Sequence, residues 1–393
     1  MVILFVTPFL RSSGENPKGG GLEAYLFRVA GALKNLGHTP IIVSLGDKDM
    51  HYKENGIEIF FARYTGAHIG TKNMKLVCKR INQSLTVNRK IRQILKEKDI
   101  DIIQFASVFG LASCYYGKIP AVMRMSSYAK QCYKDSRDFT KLSLYIWTLF
   151  EKLAARRCHA VFAPSNIVAD AFSQEIHRQV SVIESPFWND CEICDESLYY
   201  EKLSDKKYFL FIGRLGIEKG VLILAKILRS FLQRNTEYYF VCCGEGTFIE
   251  GKNSIRLLQK AAGQFKERFI YMQTQPHEIL YPIIQHADFV VCPSIMDNLS
   301  NACMEAMYFN RVVIGTDGTS YEQLIEDDKS GLLCRPGDAE GLLRKMQQAA
   351  DMNDTQKAEI GRMARKRIDR LSPEITVAKL VRYYQYVINN IHK

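Results

Sequence analysis

No apolar run in this 393-residue chain approaches the ~20 residues needed to cross a bilayer, so no membrane-spanning helix is expected. The opening MVILFVTPFL lacks the basic stretch that begins a secretory signal, and reads as a buried first strand ending at a proline. Only one C-x-x-C occurs, Cys191 to Cys194, with no second pair at zinc spacing, so no metal site is expected. The eleven cysteines, several inside strand-like runs such as Val241-Cys242-Cys243, read instead as small core hydrophobes in a reducing compartment, which makes the cytoplasm the expected setting. Gly244-Glu245-Gly246 lacks the third glycine of a dinucleotide fingerprint, which makes a nicotinamide enzyme a poor fit.

Acidic residues are missing from 63–96, where Arg63, Lys72, Lys75, Lys79, Arg80, Arg89, Lys90, Arg92 and Lys96 account for nine of the net charge of +11. Val77, Ile81, Leu85, Ile91 and Leu95 give this stretch a helical apolar stripe, so two readings stand: a solvated basic face over a packed one, or a surface helix leaning on anionic lipid. In the second, each base adds on the order of 1 kcal/mol near the membrane. Nucleic acid is not an expected partner, because no recognition motif accompanies the charge.

With 47% hydrophobic residues the chain is long enough for two cores. Each half opens on a strand, a glycine-punctuated loop and an amphipathic helix: VILFVTPF, then GGGLEAYLFRVAGALKNLGH, then TPIIVSL; and YFLFIG, then GVLILAKILRSFLQRN, then EYYFVCCG. Further strands (IDIIQFA, AVMRMS, AVFAPS; FIYMQ, DFVVCPS, RVVIGT) keep alternating with helices, which predicts an α/β fold of two Rossmann-like, doubly wound domains. The expected boundaries are 1–185, a linker at 186–206, a second domain at 207–372, and a final helix within 373–393.

Two carboxylates bracket a helix start. Asp297 precedes the cap candidates Ser300 and Asn301, and Glu305 follows along the helix. Backbone N–H groups at such an end favour phosphate, and ionised carboxylates accept hydrogen bonds from sugar hydroxyls. Arg214 and Lys219 follow another strand's carboxyl end, where an arginine fork and a lysine point charge suit a diphosphate.

GGGLEAYLFRVAGALKNLGHTPIIVS, AVFAPSN, FIGRLGIEKGV, DNLSNACMEAM and GTSYEQLIEDDKSGLLCRPGD, in this order, resemble the landmarks of the family 4 glycosyltransferases, which have the GT-B fold. The resemblance implies two domains facing across a cleft, with a nucleotide-sugar donor held by the second. Arg214 and Lys219 would neutralise the diphosphate, Glu305 would bind the ribose hydroxyls, and Asp297 would face the donor sugar. Gly213 and the backbone of Leu299, Ser300, Asn301 and Ala302 would touch sugar and phosphate, while Gly19, Gly20 and Gly21 of the first domain would close over the diphosphate. It further implies a retaining reaction with an α-linked product, no metal or other cofactor, a glycan or lipid-linked acceptor, and a last helix that returns to the first domain.

Two features depart from the family pattern. Asp297 stands where a glutamate is usual, and AVMRMSSYAK offers Arg124, Ser126 and Ser127 where a histidine or acid is common. His159 is a candidate substitute. The departures keep open a hydrolase or epimerase acting on the sugar nucleotide itself, and a catalytically degenerate binding subunit.

Overall fold

A computed structural model of the chain describes residues 1–10, 21–66, 72–133, 140–189, 191 and 193–390. It divides into two compact units, Met1–Pro186 with Pro373–Lys393, and Phe187–Ser372.

The first unit is built on strands β1 (Val2–Thr7), β2 (Thr39–Gly46), β3 (Met50–Glu54), β4 (Ile57–Arg63), β5 (Ile102–Ala106), β6 (Ala121–Arg124), β7 (Ala160–Ala163) and β8 (Ser181–Val182), in the spatial order β3-β4-β2-β1-β5-β6-β7-β8. All neighbours are parallel except β3 and β4. Runs such as VILFVT are apolar throughout because helices cover both faces of a parallel sheet. The β3–β4 hairpin was not anticipated, although its turn, Asn55-Gly56 with φ of 48° and 79°, is the dipeptide that two-residue hairpins prefer. Its MHYKE strand alternates half-buried and exposed residues and closes the sheet edge.

The final helix, Pro373–Asn390, belongs to this unit and buries Val377, Leu380, Tyr384 and Val387, one face at helical spacing. The Tyr384 hydroxyl donates to Gln104 Oε1 of β5 at 2.5 Å. The basic tract forms the helix Lys72–Ile94 but is not uniformly solvated. Arg80 is buried, its guanidinium 3.7 Å from the Phe109 ring centroid and its Nη1 donating to Gln83, and Lys90 pairs with Asp49 at 2.8 Å. These two charges therefore belong to packing within the unit rather than to a free basic face.

The second unit holds β9 (Lys207–Ile212), β10 (Tyr238–Cys243), a small hairpin β11 (Phe248–Ile249) and β12 (Lys252–Asn253), then β13 (Phe269–Met272), β14 (Phe289–Val291), β15 (Val312–Thr316) and β16 (Leu332–Cys334). Its main sheet runs β13-β10-β9-β14-β15-β16, all parallel. Along β9, Tyr208 and Leu210 enter one core while Phe209 and Phe211 enter the other, the two-residue alternation of a strand covered on both sides. The helix Val221–Arg234 packs Val221, Leu224, Leu228 and Leu232 into the second of these cores.

Part of the segment expected as a linker, 186–206, takes part in this packing. Phe187 and Leu203 are core residues of the second unit, Ser197–Lys202 is a short helix, and the Phe187 N–H donates to the carbonyl of Leu371. Polar composition hid a segment that is anchored by two apolar side chains.

Candidate functional site

In the second sheet β9 lies between β10 and β14, so connections depart in opposite directions at the carboxyl ends of β9 and β14. Open α/β sheets bind ligands at such a point. After β9 the chain passes Gly213 and Arg214 and reaches Lys219 and Gly220 before the helix Val221–Arg234; after β14 it passes Ser294 and Asp297 before the helix Asn301–Tyr308.

The two loops are locked together. Gly220 has φ of 79°, and a Cβ there would lie 1.9 Å from the carbonyl oxygen of Pro293, so only glycine permits this approach. The Ile295 N–H donates to the Glu218 carbonyl at 2.9 Å. Across this contact Lys219 Nζ donates to Asp297 Oδ2 at 2.7 Å, with side-chain exposures of 29% and 12%. The same carboxylate accepts from the Asn298 N–H at 2.9 Å and the Tyr321 hydroxyl at 3.1 Å. Burial would raise the Asp297 carboxyl, but the Lys219 ammonium and these hydrogen bonds prevail and hold it below its ordinary value. Burial likewise works against the Lys219 ammonium, and Asp297 outweighs it, so the lysine is held above its ordinary value. Both groups are charged at neutral pH.

Ser300 caps the following helix, its Oγ accepting from the Cys303 N–H at 3.4 Å, which leaves Asn301 and Ala302 in the first turn, where N–H groups have no intrahelical acceptor. The Leu299 N–H does not join them, since it donates to Ser320 Oγ at 2.8 Å. Leu299 itself has φ of 59°, a conformation that an L residue adopts only where its surroundings compel it. Glu305 is buried, not an ordinary surface acid, and its Oε1 stands 3.5 Å from Nε2 of His277. The His277 ring stacks on Tyr281 at 4.6 Å. His277 was missed at the sequence level because it begins the helix His277–Gln285, far from the motif that holds Glu305.

Arg214 stands apart from the Lys219–Asp297 pair. It is 54% exposed and pairs with Glu218, four residues on in the same loop. Gly213 has φ of 123°, and a Cβ there would meet nothing within 4 Å, so the side on which a side chain would project is open, while its N–H donates to the Cys243 carbonyl at 2.9 Å. Gly19 and Gly20 lie outside the described residues, and Gly21 is the first residue of the helix Gly21–Asn35.

His159 is structural. Its N–H donates to the Ala121 carbonyl at 2.7 Å, its Nδ1 accepts from the Ala121 N–H at 3.1 Å, and burial lowers its pKa. Cys191 and Cys194 place their sulfurs 3.9 Å apart. Among the described residues no three His, Cys, Asp or Glu side chains gather as a metal ion would need, and no helix is long and apolar enough to cross a membrane.

Sequence profiles decide the family: Glycosyltransferase Family 4 matches residues 19–186, and Glycosyl transferases group 1 matches residues 199–367. The chain belongs to the family 4 glycosyltransferases. An uncharacterized glycosyltransferase of Bacillus subtilis, YqgM, is 22% identical over 247 residues, 61% of this chain and 65% of the relative. The alpha-D-kanosaminyltransferase of Streptomyces kanamyceticus is 27% identical over 227 residues, 56% of this chain and 58% of the relative. The chain thus spans less than two thirds of either relative.

The fold of this family 4 member is GT-B. Sucrose-phosphate synthase from Thermosynechococcus elongatus superposes with a TM-score of 0.77 at 15% identity, covering 99% of both chains. Anabaena Alr3699/HepE, solved in complex with UDP and glucose, gives 0.72 at 17% identity over 98% of this chain and all of the other.

Proposed function

We propose that this family 4 glycosyltransferase moves a sugar from a nucleoside-diphosphate sugar to a glycan or lipid-linked acceptor, with retention and without a metal. The observation that carries the reading is the Lys219–Asp297 pair, set on the helix-start loops of β9 and β14 with Glu305 buried one turn beyond. As the bond from sugar to diphosphate breaks, negative charge collects on the leaving group. Lys219, the N–H groups of Asn301 and Ala302, and the exposed Arg214 once released from Glu218 are the donors that would meet it. Asp297 faces the sugar, Glu305 accepts from ribose hydroxyls, and the departing phosphate takes the acceptor's proton, since no covalent nucleophile is assigned.

The kanosaminyltransferase and the UDP-bound Anabaena protein support a nucleotide-sugar donor. The test is release of nucleoside diphosphate from UDP- and GDP-sugars, with and without candidate acceptors. Release without any acceptor would point to a hydrolase, and tight binding without release to a degenerate module. Glu305→Gln keeps the side chain's size but replaces an acceptor oxygen with a donor. By isothermal titration it is expected to bind nucleoside diphosphate about ten- to a hundredfold more weakly than wild type, as loss of a charged hydrogen bond predicts. Unchanged affinity would remove Glu305 from the donor site.

A peripheral contact with anionic membrane is part of the same reading. On the helix Lys72–Ile94, Lys75, Lys79, Arg89 and Arg92 are exposed beside the apolar Met74, Ile81 and Leu85. At low salt the protein is expected to sediment with vesicles containing phosphatidylserine, and the combined Lys75→Glu, Lys79→Glu and Arg89→Glu variant to stay in the supernatant. Equal sedimentation of the two would reduce the tract to a solvated face.

A further inference from the structure

The run GTSYEQ, read in the sequence only as a family landmark, closes over the donor loop. Thr316 Oγ1 donates to the Ser294 carbonyl at 2.7 Å, Thr319 Oγ1 donates to the Thr316 carbonyl at 2.7 Å, and Ser320 Oγ receives the N–H of the left-handed Leu299 at 2.8 Å. Tyr321 completes the clamp. Its ring is 1% exposed, and its hydroxyl lies 3.1 Å from Asp297 Oδ2 and 3.2 Å from Ser294 Oγ. A phenol has one proton to give. With an ionised carboxylate on one side and a hydroxyl on the other, the stronger arrangement is Ser294 donating to Tyr321 and Tyr321 donating to Asp297.

We propose that Tyr321 is a positioning residue for Asp297, holding the short carboxylate at the end of the β14 loop when Lys219 turns to a diphosphate. This rests on the reading of Asp297 and Lys219 as donor-site residues. In the free protein Asp297 has Lys219, Tyr321, the Asn298 N–H and, at 3.5 Å, Ser294 Oγ as donors. A phosphate that draws the ammonium away leaves the other three, and of these only Tyr321 comes from a different segment of chain, Ser294 and Asn298 both lying in the β14 loop itself. The ring cannot drift: a Cβ on Gly315 of β15 would sit 3.1 Å from it, so the glycine there leaves just the room that the ring fills. The Tyr321 N–H is in turn within 3.3 Å of Thr319 Oγ1. Tyr321 is thus fixed at ring and backbone, and its hydroxyl is the far end of a rigid arm. Because that hydroxyl also favours the ionised form of Asp297, its removal has a readout that packing alone would not give.

The experiment is Tyr321→Phe, which keeps the ring. The Asp297 carboxyl carbon, labelled with carbon-13 and identified by its loss in Asp297→Asn, is titrated by NMR in the wild type and the variant. The expected result is proton binding at Asp297 about tenfold tighter in Tyr321→Phe, with turnover of UDP- or GDP-sugar about ten- to a hundredfold lower in kcat and a melting temperature close to wild type. An Asp297 titration and kcat both equal to wild type would overturn the proposal, as would loss of kcat accompanied by an unmoved titration. Asp297→Asn separates the premises: if it turns over donor normally, the donor-site reading of Asp297 fails irrespective of Tyr321. Should Tyr321→Phe melt early, Ser294→Ala, which removes the hydroxyl 3.2 Å from the Tyr321 oxygen and 3.5 Å from Asp297 Oδ2, is expected to move the Asp297 titration in the same direction by less, and no movement would count against the proposal.

Discussion

Lys219→Ala is expected to lower sugar-nucleotide turnover by about a hundred- to a thousandfold, the usual consequence of deleting one donor to a developing anion. It also strands Asp297. With 12% of its side chain exposed, Asp297 would keep the Tyr321 hydroxyl and the Asn298 N–H but no cation. Removing one member of a fully buried ion pair costs about 3–5 kcal/mol, and the 29% exposure of Lys219 reduces this to about 2–3 kcal/mol. The pH dependence has a definite sign. The Asp297 carboxyl lies below its ordinary value in the folded protein, so its stabilising contribution is present above the unfolded carboxylate value and fades as pH falls through the folded one. Lys219, held above its ordinary value, contributes below that value and loses its share as pH rises through the folded one. The stability difference between wild type and Lys219→Ala, measured by urea unfolding, should therefore be largest between the acid and the alkaline limits and shrink below about pH 4. A difference that does not change with pH would mean that the pair is not coupled. Normal turnover would remove Lys219 from the donor site.

Gly220→Ala is expected to be among the most damaging single methyls in the second unit. The new Cβ would stand 1.9 Å from the Pro293 carbonyl oxygen on a backbone with φ of 79°. Left-handed geometry alone costs an L residue about 1–2 kcal/mol, and overpacking adds about 1–3 kcal/mol. A total of about 3–4 kcal/mol corresponds to a fall in Tm of roughly 10 °C for a unit of this size. Relief requires the β9 and β14 loops to separate, which would break the 2.7 Å contact of Lys219 with Asp297 and with it activity. Gly213→Ala is the matched control. Its φ of 123° is also strained, but its Cβ would meet nothing within 4 Å, so calorimetry should show a smaller loss of stability than for Gly220→Ala. Equal losses would show that backbone strain, not the Pro293 contact, sets the cost.

Strands were the most legible part of the chain. A parallel strand covered on both sides must be apolar along its length, and VILFVT, KYFLFI and YYFVCC announce themselves. The β3–β4 hairpin and β16 were passed over because MHYKE is half polar and LLC is three residues long. At 186–206 the converse holds: two anchors, Phe187 and Leu203, stand among polar neighbours with no period to reveal them. For the site, type and loop were readable for Asp297, Glu305, Lys219 and Arg214, since helix starts after buried strands have a recognisable composition. Their pairing was not. Lys219 and Asp297 are 78 positions apart, and His277 meets Glu305 across 28.

Local sequence by itself determined the long buried strands, the amphipathic helices that follow them, the cap at Ser300, and which loops could face an anionic ligand, because these follow from side-chain period, backbone freedom and charge over a few residues. Only the tertiary structure decided that Lys219 answers Asp297 while Arg214 turns to Glu218, that Arg80 is buried against Phe109, and that Tyr321 reaches back to the β14 loop. Such choices depend on which loops the parallel order of the strands brings side by side. That order is set by the burial of both sheet faces at once, a property of the whole unit that no short window of sequence contains.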